Sequence, residues 1–193
     1  MWRTIILIRH GQYEKKPERL TALGRKQANL VAKAVKPNVP AQLFSSTMPR
    51  ATETAAILSD HLKLKPQKKS FLCEALLPGP PSFTNQWLRN IPSKSEKANF
   101  KKSLKVNAKR ADQAFHFLFR KPRFGQETMA VVAHGNVIRY WVCKALKVKS
   151  ETWLKMDIVH ASITALRINA KGELILLRFS DCGHLPLEMR TYT

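Results

Sequence analysis

Two histidines in this sequence follow apolar runs, and each is followed at once by a glycine. Residues 5–8 lead into Arg9-His10-Gly11, and residues 129–133 lead into His134-Gly135-Asn136. Consecutive apolar residues predict strands that are covered on both faces, and the glycine permits a sharp exit from the sheet. Because ligands bind at the carboxyl ends of strands in open α/β sheets, both histidines are candidates for chemistry. Either one alone is more often a loop residue bonded to a carbonyl oxygen, so the repetition is what favours a site.

An arginine and a glutamate stand at two further element boundaries. Arg50 follows Pro49 in the first turn of a helix that Ser46 or Thr47 can cap, where a cation is disfavoured. Such an arginine is usually solvated, but a bound anion would compensate for its position and make the helix start a phosphate cradle. Glu74 follows residues 70–73, which we interpret as a third strand, and it offers a carboxyl group for proton transfer. The alternative for Glu74 is a structural carboxylate that caps a nearby helix.

Alternating strands and helices are predicted to position these residues. Thr21 caps an amphipathic helix that ends before Pro37, and the periodicity of the remaining chain predicts further elements of both kinds. In order, they are strands 5–8, 41–45, 70–73 and 129–133, helices from 49, over 84–120 and over 137–142, and a hairpin of 162–168 with 174–179. Strands that alternate with helices indicate the α/β class.

Composition narrows the kind of protein. The chain has 193 residues, 44% of them hydrophobic, which fits a single domain over residues 1–193. Its 34 Lys and Arg against 13 Asp and Glu give a net charge of +21, which predicts affinity for an anionic partner. Cys73, Cys143 and Cys182 have neither a disulfide pattern nor a zinc spacing. We therefore expect reduced thiols and no metal site.

The position of the first strand leads to an expectation about location. The strand begins close after Met1, so the chain shows no room for a signal or transit peptide ahead of it. No apolar run approaches the length that spans a membrane. We expect a cytoplasmic protein without an integral membrane segment.

Residues 84–120 form a lysine-rich stretch, interpreted as a helical insertion in the domain. Its apolar residues recur at spacings of three and four, which predicts one long amphipathic helix. A solvated face is one account of its cations, and a docking surface for an anionic partner is the other. The cations are Lys94, Lys97, Lys101, Lys102, Lys105, Lys109 and Arg110.

Four motifs, taken in order, resemble the histidine phosphatase superfamily with its phosphoglycerate mutase-like fold. They occupy residues 7–11, 20–28, 45–55 and 132–140, so the resemblance covers nearly the whole chain. The sequence of residues 9–13 is most similar to that of the branch that contains the mitochondrial serine/threonine protein phosphatase. The resemblance implies a three-layer α/β/α sandwich around a mostly parallel, mixed sheet.

The same resemblance implies roles for the candidate residues. His10 would be the nucleophile that forms a phosphohistidine, with Arg9, Arg50 and His134 around the phosphoryl group. Glu74 would protonate the leaving oxygen and later deprotonate water, although Cys73 and Ala75 flank it where the family commonly has arginine and glycine. No cofactor and no metal are implied. Further candidate substrate contacts are Gln12, Thr21, Gly135 and Asn136.

Three functions remain open from the sequence. The leading hypothesis is a metal-independent phosphomonoesterase, with phosphoserine or phosphothreonine in proteins as a candidate substrate. A phosphatase or mutase of small sugar phosphates is the nearest alternative, but Gln12 to Lys16 lacks the segment typical of mutases. A docking module on a phosphatase fold, which binds anionic partners through its lysines, is the third.

Overall fold

The fold is built on one mixed sheet in the computed structural model of the chain, which describes residues 1–122 and 125–192. The described strands are β1 (Trp2–Arg9), β2 (Gln42–Ser45), β3 (Gln67–Lys68), β4 (Gln126–Ala133), β5 (Ile163–Asn169) and β6 (Leu174–Asp181). They lie in the order β3-β2-β4-β1-β5-β6. The pairs β3/β2, β2/β4 and β4/β1 are parallel, whereas β1/β5 and β5/β6 are antiparallel. The predicted hairpin is the pair β5 and β6.

Helices cover both faces of the sheet. They are α1 (Ala22–Val35), α2 (Pro49–Leu62), α3 (Pro81–Arg89), α4 (Lys94–Leu118) and α5 (Gly135–Ala145). One apolar cluster joins α1 and α2 to the sheet, and the other joins α4 and α5 to its opposite face. This arrangement confirms the three-layer α/β/α sandwich. In the parts of the chain that the structure describes, every helix is too short or too polar to cross a bilayer.

Strand β1 is the centre of both clusters. Ile5 and Leu7 point into the cluster with α4 and α5, whereas Ile6 and Ile8 point into the cluster with α1 and α2. None of the four is more than 3% exposed, which confirms a strand covered on both faces. Burying a side chain of this size contributes about 1.5–3 kcal/mol, so both faces of β1 stabilise the fold.

The register of β1 brings distant segments together at one edge. Arg9, the last residue of β1, pairs with Ala133, the last residue of β4. On the other side Ile8 pairs with Ile163, the first residue of the antiparallel strand β5. The ends of β1 and β4 and the start of β5 therefore meet at the same edge of the sheet.

Two predicted elements differ in the structure. The predicted strand over residues 70–73 is wrong, because Ser70–Leu72 forms a 3-10 turn and the short strand β3 precedes it. Leu72 is fully buried in the cluster with α4, so this apolar run reflects packing and not strand pairing. The prediction of one helix over 84–120 is also wrong, because this stretch forms two helices, α3 and α4. Pro92 lies between them, and its ring and missing N–H interrupt a helix.

A capping box starts α4 directly after that interruption. The Ser93 hydroxyl accepts from the backbone N–H of Glu96 at 3.1 Å, and the Glu96 carboxylate accepts from the N–H of Ser93 at 3.2 Å. The exchange satisfies two backbone donors at the new N-terminus. The start of α1 shows the predicted cap, since the Thr21 hydroxyl accepts from the N–H of Gly24 at 2.9 Å.

Candidate active site

Four of the predicted site residues meet at the carboxyl ends of β1 and β4. Arg9 closes β1, His10 follows it, and His134 is the N-cap of α5 directly after β4. Arg50 reaches the same place from the first turn of α2. All four residues are at most 4% exposed, so the structure gathers their polar atoms in a deep, largely enclosed position.

Hydrogen bonds fix the tautomer of His10. Its Nδ1 lies 2.8 Å from the carbonyl oxygen of Gly11, which can only accept, so Nδ1 carries the ring proton. Its Nε2 receives a hydrogen bond from Nε of Arg50 at 3.1 Å, and a guanidinium can only donate. The lone pair of His10 therefore resides on Nε2 and points toward Arg50. An imidazole in this state is ready to act as a nucleophile.

Burial keeps both central imidazoles neutral. Burial holds the pKa of His10 well below its ordinary value, and the neighbouring His134 and Arg9 act in the same direction. Burial also lowers the pKa of His134 well below its ordinary value, and the charges of Arg50 and Arg9 lower it further. A low pKa keeps His10 unprotonated at neutral pH, as nucleophilic attack requires.

Arg50 contacts three different groups. Besides His10, its guanidinium lies 4.4 Å from the ring centre of Tyr13, which is a cation–π contact. Its Nη1 lies 3.0 Å from a carboxylate oxygen of Glu18, a side chain that is 42% exposed. That pair is a charge contact and not an aligned hydrogen bond. In the free protein a carboxylate thus occupies one side of a cation that could bind phosphate.

His134 is anchored by a serine. Ser46 is fully buried, and its hydroxyl lies 2.6 Å from Nε2 of His134. The rings of His10 and His134 have centres 5.0 Å apart. The second histidine motif of the sequence therefore meets the first in space.

Glu74 is held beside the start of α5. Its carboxylate accepts from the backbone N–H groups of Ala75 at 3.0 Å and Asn136 at 3.3 Å. Burial raises the pKa of Glu74 above its ordinary value, although these two donors and the nearby arginines act against the shift. Arg110, predicted to share the lysine-rich face, instead donates to the Glu74 carbonyl oxygen at 2.9 Å. Glu74 thus follows a turn and not a strand, yet it reaches the site.

The further candidate contacts line the loops around this centre. Gln12 and Thr21 are bonded to each other, with the Thr21 hydroxyl donating to Oε1 of Gln12 at 2.7 Å. Asn136 donates its side-chain amide to the carbonyl oxygen of Ala75 at 3.1 Å. Gly135 lies against Arg9, because a Cβ at that position would be 3.5 Å from the arginine Nε. All four are near the site, but their polar groups also hold local structure.

His160 is a site residue that the sequence did not identify. Its Nε2 lies 3.0 Å from Nη2 of Arg9, and its ring centre is 5.5 Å from that of His10. A signal existed in the topology, because His160 lies shortly before Ile163, the first residue of β5. The start of an antiparallel neighbour of β1 lies at the edge where β1 ends. Glu18 was also missed, since nothing in its spacing points to Arg50.

Metal-binding groups are a separate question. Within residues 1–122 and 125–192, no three or more His, Cys, Asp or Glu side chains are arranged to hold a metal ion. The thiols of Cys73, Cys143 and Cys182 are unbridged. Cys73 lies 3.1 Å from the hydroxyl of Thr47.

Known proteins resemble this chain along almost all of its length. A Caenorhabditis briggsae protein named serine/threonine-protein phosphatase Pgam5, mitochondrial, is 35% identical over 199 residues. The match covers 99% of this chain and 67% of that relative, so the chain spans about two thirds of the relative's length. The structure of a phosphoglycerate mutase from Plasmodium falciparum matches with a TM-score of 0.66 and 28% identity, covering 100% and 99% of the two chains.

A second solved structure shows the same fold at lower sequence identity. A phosphoserine phosphatase from Entamoeba histolytica, in complex with 3-phosphoglyceric acid, matches with a TM-score of 0.70 and 22% identity. The match covers 95% of this chain and 100% of that one. It supports the phosphoglycerate mutase-like fold predicted from the sequence.

The expectation of a cytoplasmic location is wrong. Relatives from Caenorhabditis and Drosophila carry mitochondrial in their names. The expectation relied on the short distance from Met1 to the first strand, yet these relatives extend beyond the matched region by about a third of their length. The start of this chain therefore carries no information about a leader.

The family assignment rests on the sequence pattern as well as on these relatives. The pattern of the histidine phosphatase superfamily (branch 1) matches residues 5–181. That range contains both histidine motifs, Arg50 and Glu74. The family and the phosphatase type of enzyme predicted from the sequence are confirmed, and the chain belongs to the histidine phosphatase superfamily.

Proposed function

We propose that the protein is a phosphomonoesterase that works through a phosphohistidine on Nε2 of His10. The observation that carries the proposal is the fixed state of His10, whose Nδ1–H donates to the Gly11 carbonyl oxygen and whose unprotonated Nε2 faces Arg50. Around it lie the cations of Arg9 and Arg50, which supply positive charge where the transition state spreads negative charge over phosphoryl oxygens. The chain's own residues therefore provide the electrostatics that the reaction needs.

In the first step His10 takes the phosphoryl group. The incoming phosphate replaces His10 as the acceptor of the Arg50 Nε–H and frees the Nε2 lone pair. Nε2 attacks phosphorus, the bond from phosphorus to the ester oxygen breaks, and the protonated carboxyl of Glu74 gives its proton to that oxygen. The raised pKa of Glu74 keeps a protonated fraction for this task.

In the second step water releases the phosphate. The Glu74 carboxylate takes a proton from water as the water oxygen attacks phosphorus, and the bond from phosphorus to Nε2 breaks. Inorganic phosphate and neutral His10 result, and Glu74 is protonated again for the next cycle. The two steps together are the hydrolysis of a phosphate monoester.

Phosphoserine and phosphothreonine in proteins are the substrates that we propose. The support is the 35% identity over 199 residues to a relative named as a serine/threonine-protein phosphatase. A mutase or a phosphatase of small sugar phosphates is the second candidate, favoured by the 28% identity to the Plasmodium falciparum phosphoglycerate mutase. A mutase returns the phosphoryl group to substrate, whereas a phosphatase gives it to water.

One set of assays tests both candidates. We expect release of phosphate from an aryl phosphate and from phosphoserine peptides, lost by at least a thousandfold in His10→Ala because the nucleophile is gone. His116→Ala, an exposed histidine of α4, is the matched control and should keep full activity. Transfer of phosphate between positions of phosphoglycerate, faster than its hydrolysis, would replace the phosphatase proposal by the mutase. Equal activity of His10→Ala and wild type would refute both.

We further propose that the outer face of α4 binds acidic segments of a phosphoprotein substrate. At 100° per residue, six of its lysines fall within an arc of about 140°. Between Lys94 and Lys109 the only acidic residue is Glu96, which is engaged in the capping box. Five of the lysines are exposed and Lys97 is half-buried; the six are Lys94, Lys97, Lys101, Lys102, Lys105 and Lys109.

The helix that carries the lysine face also contacts the loop of Glu74, through residues on its other side. Arg110, next to Lys109, reaches the carbonyl oxygen of Glu74, and Asn107 donates to the carbonyl oxygen of Leu76 at 3.0 Å. Helix α4 thus contacts the loop that carries the proposed acid.

Charge removal tests this surface. Replacing Lys101, Lys105 and Lys109 by Gln should raise KM for a phosphopeptide with acidic flanks about tenfold, because each exposed pair contributes up to about 1 kcal/mol. KM for an aryl phosphate should stay unchanged. The control replaces Lys26, Lys33 and Lys36, exposed lysines on and beside α1, with the same loss of charge. Equal effects of the two triple variants would mean that only net charge matters.

A further inference from the structure

Arg9 is held in place by a histidine that is itself held by the C-terminal segment. Nη2 of Arg9 donates to Nε2 of His160 at 3.0 Å, and Nη1 donates to the carbonyl oxygen of Ile158. Nδ1 of His160 lies 3.1 Å from the carbonyl oxygen and 3.1 Å from the hydroxyl of Thr191. The backbone N–H of His160 also donates to the Thr191 carbonyl at 3.0 Å.

These contacts determine the state of the His160 ring. The Thr191 carbonyl oxygen can only accept, so Nδ1 carries the proton, and the Arg9 guanidinium can only donate, so Nε2 is the acceptor. Burial lowers the pKa of His160 to about 3, and the charge of Arg9 acts in the same direction. The imidazole therefore stays a neutral acceptor for Arg9 at any pH near neutrality.

A second connection runs from the same segment to the loop that follows His10. The side-chain amide of Gln27 donates to the carbonyl oxygen of Met189 at 2.7 Å and to the hydroxyl of Thr191 at 2.9 Å. Its oxygen accepts from the backbone N–H of Gln12 at 2.8 Å. Gln27 is fully buried on α1, so these hydrogen bonds satisfy the polar groups of its side chain.

We propose that residues 189–191 are a clasp that positions Arg9 and the loop that follows His10. Through His160 the clasp fixes the guanidinium of Arg9, and through Gln27 it fixes the backbone of Gln12. His160 and Thr191 are thus positioning residues, which act on the substrate through Arg9. The inference rests on the proposed role of Arg9 in binding the phosphoryl group.

The first test removes the His160 contact and asks whether Arg9 transmits the effect. His160→Leu should raise KM for an aryl phosphate and Ki for inorganic phosphate by roughly tenfold to a hundredfold, the range for a lost hydrogen bond to a charged group. His160→Gln keeps an acceptor for Arg9 and a donor for Thr191, so it should restore most of the affinity. Thr191→Val should give a smaller increase of the same kind. His61→Leu, a histidine on α2 bonded to Asn29, is the control.

A double-mutant cycle separates positioning from a general structural effect. In an Arg9→Ala background, His160→Leu should change kcat/KM less than twofold, because the residue through which it acts is gone. The same loss in both backgrounds would overturn the proposal, as would a loss that Gln does not rescue. Thermal unfolding of each variant shows whether it is folded at the assay temperature. If Arg9→Ala alone had wild-type activity, the proposed role of Arg9 would fail, whereas His10→Ala tests the phosphatase function independently.

Discussion

Burial around His10 shifts the pKa values of the proposed nucleophile and the proposed acid in opposite directions. Burial lowers the pKa of His10 and raises the pKa of Glu74. The lowered pKa favours the unprotonated imidazole, and the raised pKa favours the protonated carboxyl group. Pairs of groups whose environments push their pKa values apart are typical of acid–base sites. The role of each residue follows from its surroundings more than from its type.

Replacing Glu74 by Gln should trap the phosphohistidine. An aryl phosphate has a good leaving group, so phosphoryl transfer to His10 proceeds without the acid, but no base then activates water. We expect a burst of phenol release followed by steady-state turnover at least a hundredfold slower than in wild type. Acid-labile phosphate should accumulate on the protein. For a phosphoserine peptide, wild-type kcat/KM should fall as pH rises through the raised pKa of Glu74, and this limb should vanish in the variant. Asp60→Asn, an exposed carboxylate on α2, is the control.

Replacing Glu18 by Gln should strengthen phosphate binding. In the free protein the Glu18 carboxylate lies 3.0 Å from Nη1 of Arg50, where it competes with an anionic ligand. Losing this partly exposed charge contact should lower Ki for inorganic phosphate about threefold to fivefold, which corresponds to about 1 kcal/mol. Glu14→Gln removes the same charge from the same loop without touching Arg50. If the two variants had the same Ki, the contact would have no role in binding.

At the level of elements, sequence reasoning succeeded where one physical requirement dominates. Strand β1 is apolar at consecutive positions because both faces are buried, and α1 begins where Thr21 caps it. It failed at residues 70–73, where burial beneath α4 gives the same apolar pattern as strand pairing. Sequence reasoning also failed at Pro92, because the spacing of apolar residues predicted one continuous helix where the structure has two. Periodicity reports which side chains are buried and does not report how the backbone is paired.

A close approach between α1 and the loop after β1 gives the prediction for elements. A Cβ on Gly24 would lie 1.9 Å from the carbonyl oxygen of Gln12, so any side chain there forces the helix start away from the site loop. Gly24→Ala should lower stability by about 1–3 kcal/mol, the usual cost of overpacking, and kcat/KM at least tenfold. Urea unfolding and aryl phosphate kinetics measure both. Gly183→Ala, whose nearest contact would be at 3.4 Å, should change neither.

For the whole molecule, buried neutral histidines predict loss of stability in mild acid. His10, His134 and His160 have folded pKa values far below the ordinary 6.5. Below pH 6.5 the unfolded chain binds more protons than the folded one, so the free energy of unfolding must fall as pH falls. At pH 5 each contributes up to about 2 kcal/mol of loss, from about 1.4 kcal/mol for each pH unit. The raised pKa of Glu74 opposes this trend.

Urea unfolding at pH 7 and pH 5 measures the effect. The free energy of unfolding of His160→Gln should fall less between pH 7 and pH 5 than that of wild type, because one protonation site is gone. His116→Gln, at an exposed position, should show the wild-type drop. A free energy of unfolding that is equal at both pH values would contradict the prediction.

The α/β/α layers and most of the candidate site could be predicted from the sequence, because the motifs lie next to the strands that present them. Arg9, His10 and His134 follow apolar runs, and Arg50 follows a helix start. His160 and Thr191 were not readable in this way, because their contacts depend on the path of the C-terminal segment across the sheet edge. A bond between residues 31 positions apart in an irregular segment leaves no local pattern.

The central position of β1 has a consequence for how activity appears during synthesis. Trp2 pairs with Gln126 and Ile8 pairs with Ile163, so β1 is synthesised long before the two strands that flank it in the sheet. Pairings this distant in sequence close long loops and form slowly. A nascent chain therefore carries His10 well before β4 and β5 exist to complete the pocket around it. The proposed nucleophile can therefore act only after β5 has been synthesised.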